Sequence, residues 1–301
     1  MLRITSIGEI LFDIYEDKKA IGGAPFNFIY HVINLTGKGN FISRIGNDEL
    51  GRELKKFLEE KKVKAHIQVD KIHPTGTAKA NLNESTKLPK WEISAGSSFD
   101  FIEPDAETSR IIQKHTDCLY FGTLAQRENH SRKTIQSLFG KGIKYFCDLN
   151  IRQNFYSKEV IEKSLEASNV VKMNIEELKI LNDLLMSESS GLINSAEKIK
   201  SKYNIDLLCV TQGEEGAVLF KDNEMNSYKS RSSVKLIDTV GAGDAYASIL
   251  CIGYMLNWKL EKINEAANNF AGEIVKIKGA LPKGYEIYDK FRGEFFKNNP
   301  R

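Results

Sequence analysis

The chain has 301 residues, 41% of them hydrophobic and 28% charged, the composition of a globular protein with a large core. Its 43 basic and 40 acidic residues leave a net charge of +3, too balanced for a nucleic-acid or membrane-surface role. No apolar run approaches the roughly 20 residues that span a bilayer, so no membrane partner is expected.

The first residues, Met1 to Gly8, read as a short strand and not as the charged start and long apolar core of a secretory signal. Ile4–Ile7 forms its apolar centre. Ile10–Tyr15, ahead of the polar turn Glu16–Lys19, offers a second strand, and Gly39–Ile42 a third. Leu50–Lys61 has helical spacing, with Glu53, Lys55, Lys56, Glu59, Glu60 and Lys61 on its wet face. From Thr75 to Ile102 the rhythm changes. Thr77–Asn83 alternates, a polar turn follows over Glu84–Pro89, and Trp91–Ser94 alternates again, which spells a β-hairpin with one covered face. Buried strands then recur at Cys118–Phe121, Tyr145–Asp148, Asn169–Lys172 and Leu207–Thr211. Between and around them lie helical stretches, Arg132–Leu138, Lys158–Ala167, Ile175–Leu185 and Ser195–Tyr203. Strand-then-helix order predicts an α/β fold with a mostly parallel sheet sandwiched by helices, which binds ligands at the carboxyl ends of its strands. The hairpin is either a small lid on that site or a surface hairpin that closes nothing. The cysteines Cys118, Cys147, Cys209 and Cys251 each sit in an apolar run and read as buried free thiols, which favours a reducing cytoplasm.

The chemistry concentrates in Asp238–Ala245, where Gly241-Ala242-Gly243 precedes Asp244 and an apolar helical run. A glycine turn that opens a helix leaves backbone N–H groups to meet an anion. An aspartate at that spot repels an anion, so mere phosphate binding does not account for it. It makes sense as a base that takes the proton of a hydroxyl attacking a phosphate. An acidic first turn on an ordinary helix is the plain alternative. Other strand ends carry polar sets: Asp148–Arg152, Asn174 with Glu177 (close to a capping box), and Thr211–Gly216. No Gly-x-Gly-x-x-Gly follows the first strand and no Gly-x4-Gly-Lys-Ser/Thr occurs, which removes the dinucleotide and P-loop readings.

Taken together these residues resemble the ribokinase-like (PfkB) carbohydrate kinases over nearly the whole chain. The resemblance is carried by Gly22–Asn27, Arg44–Gly51 and Asp238–Ala245. Gly22–Asn27, Phe121–Arg127 and Asp148–Arg152 look most like the fructokinase branch. The resemblance implies one ribokinase-like domain over residues 1–301 with a discontinuous β lid, roughly 10–20 and 74–102. It implies ATP-dependent phosphorylation of a sugar hydroxyl, D-fructose to fructose 6-phosphate, with Mg²⁺. Asp244 matches the base, and Gly241, Ala242 and Gly243 the anion hole. Asp13, Gly23 and Asn27 match sugar contacts, and Arg152 a further contact to substrate. Asn174, Thr211 and Gly213 match nucleotide-phosphate contacts, Glu177 the element that places magnesium, and Asn268 the adenine pocket. Many relatives hold a monovalent cation beside the anion hole; Asp238 and the carbonyl of Val240 would ligate potassium here. Relatives commonly dimerise through the lid, so a homodimer is expected. Ala24 stands where ribokinase has a lysine, which argues against ribose, and Tyr246–Ile249 departs from the usual Phe and small-residue pair. The same chemistry on 2-keto-3-deoxygluconate, a nucleoside or aminoimidazole riboside is the nearest alternative. A non-catalytic nucleotide- or sugar-binding regulator is the more distant one.

Overall fold

The computed structural model describes residues 2–15, 18–82, 89–186, 191–229 and 236–295. The chain opens with β1 (Ile4–Ile7), buried along its whole length. β2 (Leu11–Ile14) and β3 (Lys19–Gly22) then pair antiparallel with each other. α1 (Ala24–Thr36) returns the chain to β4 (Asn40–Gly46), and α2 (Glu49–Glu60) leads on to β5 (Ala65–Asp70). β6 (Gly76–Leu82) and β7 (Pro89–Ile93) form the hairpin expected from the sequence. Of the polar turn assigned to Glu84–Pro89, residues 84–88 lie outside the described residues, and Pro89 is instead the first residue of β7.

Strands and helices alternate from there: α3 (Ala106–His115), β8 (Cys118–Gly122), α4 (Asn129–Ser137), β9 (Lys144–Asp148), α5 (Lys158–Ala167) and β10 (Val170–Asn174). Next come α6 (Ile175–Leu185), α7 (Leu192–Lys202) and β11 (Leu207–Thr211). β12 (Ala217–Lys221) and β13 (Glu224–Tyr228) follow, then α8 (Ala242–Met255), α9 (Leu260–Ile274) and α10 (Glu286–Phe295).

Nine strands make one sheet in the order β13-β12-β11-β10-β9-β8-β1-β4-β5. It is parallel from β11 to β5, with β12 and β13 antiparallel at one edge. The strand residues sort by the two-residue period between two cores. Cys118, Tyr120, Phe146, Val170, Leu207 and Cys209 face one core with α1, α8 and α9. Leu119, Phe121, Tyr145, Cys147, Val171, Met173, Leu208 and Val210 face the other, with α3, α5, α6 and α7. This two-sided burial is why the strands read as unbroken apolar runs. All four cysteines are buried and free.

A second sheet, β3-β2-β6-β7, has four strands, and β2 runs parallel to β6, with Leu11 opposite Gly76. Its hairpin edge is tied back to the body, since Ile93 N–H donates to Gln153 Oε1 at 3.2 Å.

Element ends differ from the sequence reading by a turn or less in several places. α4 and α7 start earlier than Arg132 and Ser195. Polar Asn129, His130 and Asn194 interrupt their first turns, and neither helix has a side-chain cap. β10 runs on to Asn174 because Met173 and Asn174 pair with Val210 and Thr211. β5, β12 and β13 were not anticipated.

Candidate active site

α8 begins at Gly241, whose φ of 81° is left-handed and whose added Cβ would collide with Ala280. Only glycine meets both demands. No side chain caps this helix end among the described residues. The loop before it is held by Asp238, whose Oδ1 accepts from Val240 N–H at 3.0 Å and whose Oδ2 accepts from Gly279 N–H at 2.9 Å. Asp244 lies in the first turn of α8, and Asn27 Nδ2 of α1 donates to its Oδ2 at 2.8 Å. Burial, the larger cause, and the nearby charge of Asp148 raise the Asp244 carboxyl to about 6, against the Asn27 hydrogen bond.

A cleft of about 420 Å³ opens at this helix end. From the sequence-predicted set it brings together Asp13, Gly23, Asn27, Arg152, Asn174, Glu177, Thr211, Gly241, Gly243 and Asp244. They come from β2, the β3–α1 junction, the ends of β9, β10 and β11, and α8, so the carboxyl ends of the central strands do converge here. Gly23 has a φ of 105°, and a Cβ there would sit 2.6 Å from the Glu9 carbonyl oxygen. That close approach lets α1 start against the β1–β2 connection. Asp13 is pushed up to about 7, mainly by burial and then by the charges of Asp244 and Asp238.

Asn174 caps α6, accepting from Glu177 N–H at 2.8 Å, and its own N–H donates to Glu177 Oε2 at 2.8 Å. Glu177 Oε1 accepts from Ile151 N–H at 2.7 Å. The capping box is therefore real, and it also fixes the loop that carries Asn150 and exposed Arg152.

Four sequence-predicted residues do not line the cleft. Ala242 is the first residue of α8, between Gly241 and Gly243, which do line the cleft. Gly213 opens a short 3-10 turn beyond Thr211. Asn268 gives its amide to the carbonyl and side-chain oxygens of Asn264, one turn back on α9, and not to a nucleotide pocket. Asp238 spends one bond from each carboxylate oxygen on loop amides, so its part here is to shape the α8 entrance.

The cleft also contains residues to which the sequence reading gave no role: Glu9, Asp148 and Lys172 above all. Lys172 Nζ donates to both oxygens of Asp148, at 3.0 and 2.9 Å, and Tyr120 Oη donates to Asp148 Oδ2 at 3.1 Å. Asp148 also raises Glu177, whose carboxyl is lifted mainly by burial. A lysine inside the buried strand Val170–Asn174 is itself a signal, because a buried ammonium needs a carboxylate partner.

A doubly covered parallel sheet with a glycine-opened helix, a pinned aspartate and a small sheet over one cleft defines a ribokinase-like sugar kinase. The chain belongs to the pfkB family carbohydrate kinases, whose profile matches residues 4–284. It is 26% identical over 247 residues to a fructokinase of Salmonella typhimurium, covering 78% of this chain and 77% of that one. Among solved structures it is similar to a sugar kinase of Pyrococcus horikoshii, with a TM-score of 0.79 and 25% identity over 92% of this chain and 93% of the other. It is also similar to a double-mutant fructokinase of Vibrio cholerae bound to fructose, ADP and potassium, with a TM-score of 0.76 and 25% identity over 93% and 94% of the two chains. The chain is thus an ATP-dependent carbohydrate kinase.

Proposed function

We propose that the acceptor is a neutral hexose, D-fructose, and the product fructose 6-phosphate. The observation that supports this most is Asp244, a part-buried carboxylate aimed by Asn27 just past the Gly241–Gly243 turn. In this reading the transferring phosphoryl group lies against the helix-start amides of Gly241, Ala242 and Gly243. The sugar hydroxyl oxygen bonds to the γ-phosphorus of ATP and its proton passes to Asp244. The bond from phosphorus to the bridging oxygen breaks, and ADP leaves. Asp13, Gly23, Asn27 and Arg152 hold the sugar; Asn174, Thr211 and Gly213 face the nucleotide phosphates.

Charge supports a neutral acceptor. Glu9, Asp13, Asp148, Glu177 and Asp244 line the cleft against two cations, Lys172 and Arg152. Even with Glu9 and Asp13 protonated below pH 7, Asp148, Glu177 and Asp244 outnumber the two cations, and a carboxylated acceptor such as 2-keto-3-deoxygluconate adds one more negative charge.

Magnesium fits the oxygen donors Asn174 and Glu177. Each Glu177 oxygen already accepts a backbone N–H, so these residues would hold the ion through water, as this hard cation tolerates. When bound it neutralises charge on the phosphates. The potassium in the Vibrio cholerae fructokinase supports a monovalent cation beside the Asp238–Val240 loop. Replacing potassium by sodium should then lower kcat/KM, and equal rates in the two salts would remove it.

Leu11, Asp13, Ala78, Trp91 and Ile93 of the small sheet line the cleft, which supports its role as a lid that excludes water from the reaction. Its two open edges, β3 and β7, support a homodimer formed through it. Light scattering on a sizing column that returned a monomer mass would exclude the dimer.

The deciding experiment is a coupled ADP-release assay with ATP, Mg²⁺ and a panel of fructose, other free sugars, 2-keto-3-deoxygluconate and nucleosides. The proposal expects the highest kcat/KM on fructose. A better rate on any other acceptor overturns the substrate assignment while leaving the Asp244 chemistry in place.

A further inference from the structure

Two polar atoms in residues that wall the cleft have no hydrogen-bond partner among the described residues, Glu9 Oε2 and Asn27 Oδ1. The two residues are 1% and 3% exposed. Buried polar atoms are nearly always paired, and an exception in a cleft wall points to a ligand that completes it. Asn27 already belongs to the sugar side through its bond to Asp244. Glu9 has no role in the mechanism above, yet it occupies a built position. It follows Gly8 at the end of β1, and the Gly23 start of α1 sits directly on its carbonyl.

Burial is the main cause that lifts the Glu9 carboxyl, to about 7. A hydrogen bond with its own backbone opposes the rise. The charged groups facing it are Asp244 from α8, which adds to the rise, and Arg152 from the loop after β9 and Arg127 from the turn after β8, which oppose it. Asp13 of β2 shares the cleft. A protonated carboxyl donates an O–H, whereas Asn27 Oδ1 only accepts. A sugar hydroxyl can accept from the first and donate to the second. A hydroxyl, of a sugar or of water, complements that pair, whereas an ionised carboxylate cannot donate to Asn27 Oδ1.

We propose that Glu9 is a specificity residue for the acceptor, donating its carboxyl O–H to an oxygen of a neutral polyol beside Asn27. This deepens the sugar-kinase reading and rests on it for the identity of the ligand. Above pH 7 the ionised carboxylate loses its proton donor and adds a charge to an already acidic cleft, so the sugar KM rises while the ATP KM does not.

The test is steady-state kinetics of wild type, Glu9→Gln and Glu9→Ala, at pH values on either side of 7, varying fructose and ATP separately. Wild type should show a sugar KM that rises about tenfold above pH 7. Glu9→Gln keeps an N–H donor and cannot ionise, so its KM should stay close to the low-pH wild-type value and rise less above pH 7 than that of wild type, the remaining rise belonging to Asp13, which is also raised to about 7. Glu9→Ala should raise the sugar KM about tenfold or more at every pH, with kcat and the ATP KM within about twofold. A wild-type KM independent of pH, or a Glu9→Ala KM equal to wild type, overturns the role of Glu9 and leaves the kinase reading standing. If Glu9→Ala does not fold, the smaller pH dependence of Glu9→Gln than of wild type still decides, and an equal dependence overturns the role of Glu9. If wild type phosphorylates no sugar, calorimetric titration with fructose separates the claims. Binding that Glu9→Ala abolishes upholds the Glu9 contact without the reaction, and no binding by wild type sinks both.

Discussion

Asp244 can accept a proton only while ionised, so the pH at which activity appears reports on it directly. Its carboxyl is raised to about 6; below that value it is protonated and the base is lost. kcat/KM should therefore climb through pH 6 and level off above it, before the Glu9 effect on KM sets in. Asp244→Asn keeps the Asn27 neighbour and removes the base, and should lower kcat by about 10²–10⁴-fold with little change in sugar KM. A variant with near-normal turnover in the ADP-release assay would refute the assignment. Gly241→Ala meets two penalties at once, a left-handed φ and a collision with Ala280. Together they should cost about 1–3 kcal/mol in denaturant unfolding, along with most of the activity. At this scale the sequence was most legible where backbone geometry restricts the residue: a glycine turn followed by an aspartate announces itself locally. Glu9 was illegible as a site residue, because an empty hydrogen-bonding position is what marks it; Asp148 was legible only as the head of the polar strand end Asp148–Arg152, since its lysine partner lies on the next strand. The contact of the Asn268 amide with Asn264 of its own helix was likewise not visible in the sequence.

Lys172 and Asp148 join β10 to β9 under the floor of the cleft, at 8% and 2% side-chain exposure. Removing one member of such a pair strands the other charge out of water. Lys172→Met should thus cost about 3–5 kcal/mol, read as a lowered denaturation midpoint with an unchanged slope. Replacing both members by apolar residues should recover much of that loss, and a double variant no more stable than the single one would show that the pair is not the cause. The central strands could be read in the sequence because burial on both faces makes each an apolar run. The edge strand β13 could not, and its neighbour β12 was missed although Ala217–Phe220 is itself a buried apolar run. β13 is exposed at alternate positions and its sequence, Glu224–Tyr228, acquires strand character only through its pairing with β12. Helix starts slipped where caps were missing, and held where they were present, as at Asn174 on α6 and Ser157 on α5.

Across the whole molecule, the raised carboxyls make the unliganded protein sensitive to pH in one direction. For Glu9 the folded value of about 7 lies above the ordinary 4.5, so the fold holds this proton more tightly than the unfolded chain does. Stability from this group is fully present below pH 4.5 and is lost as pH rises to 7, on the order of 3 kcal/mol. Asp13 acts in the same sense. Glu9→Gln should therefore have a higher Tm than wild type above pH 7, and the gap should close as pH falls toward 4.5. A gap independent of pH would contradict it.

The hydrogen bond between Asn27 and Asp244 also has a meaning in time. One partner leaves the ribosome among the first residues made, and the other only after most of the chain has been translated. Until then α1 can meet β1, β4 and β8 but lacks α8, one of the helices it packs against in the finished core, and the face of α1 turned to α8 stays uncovered. A growing chain of this kind cannot hold sugar in the completed cleft, and it carries a sticky surface through most of its synthesis. Chains stalled or truncated before Asp244 are therefore the ones that will need chaperones, while those released whole bury that surface in the same step that completes the catalytic site.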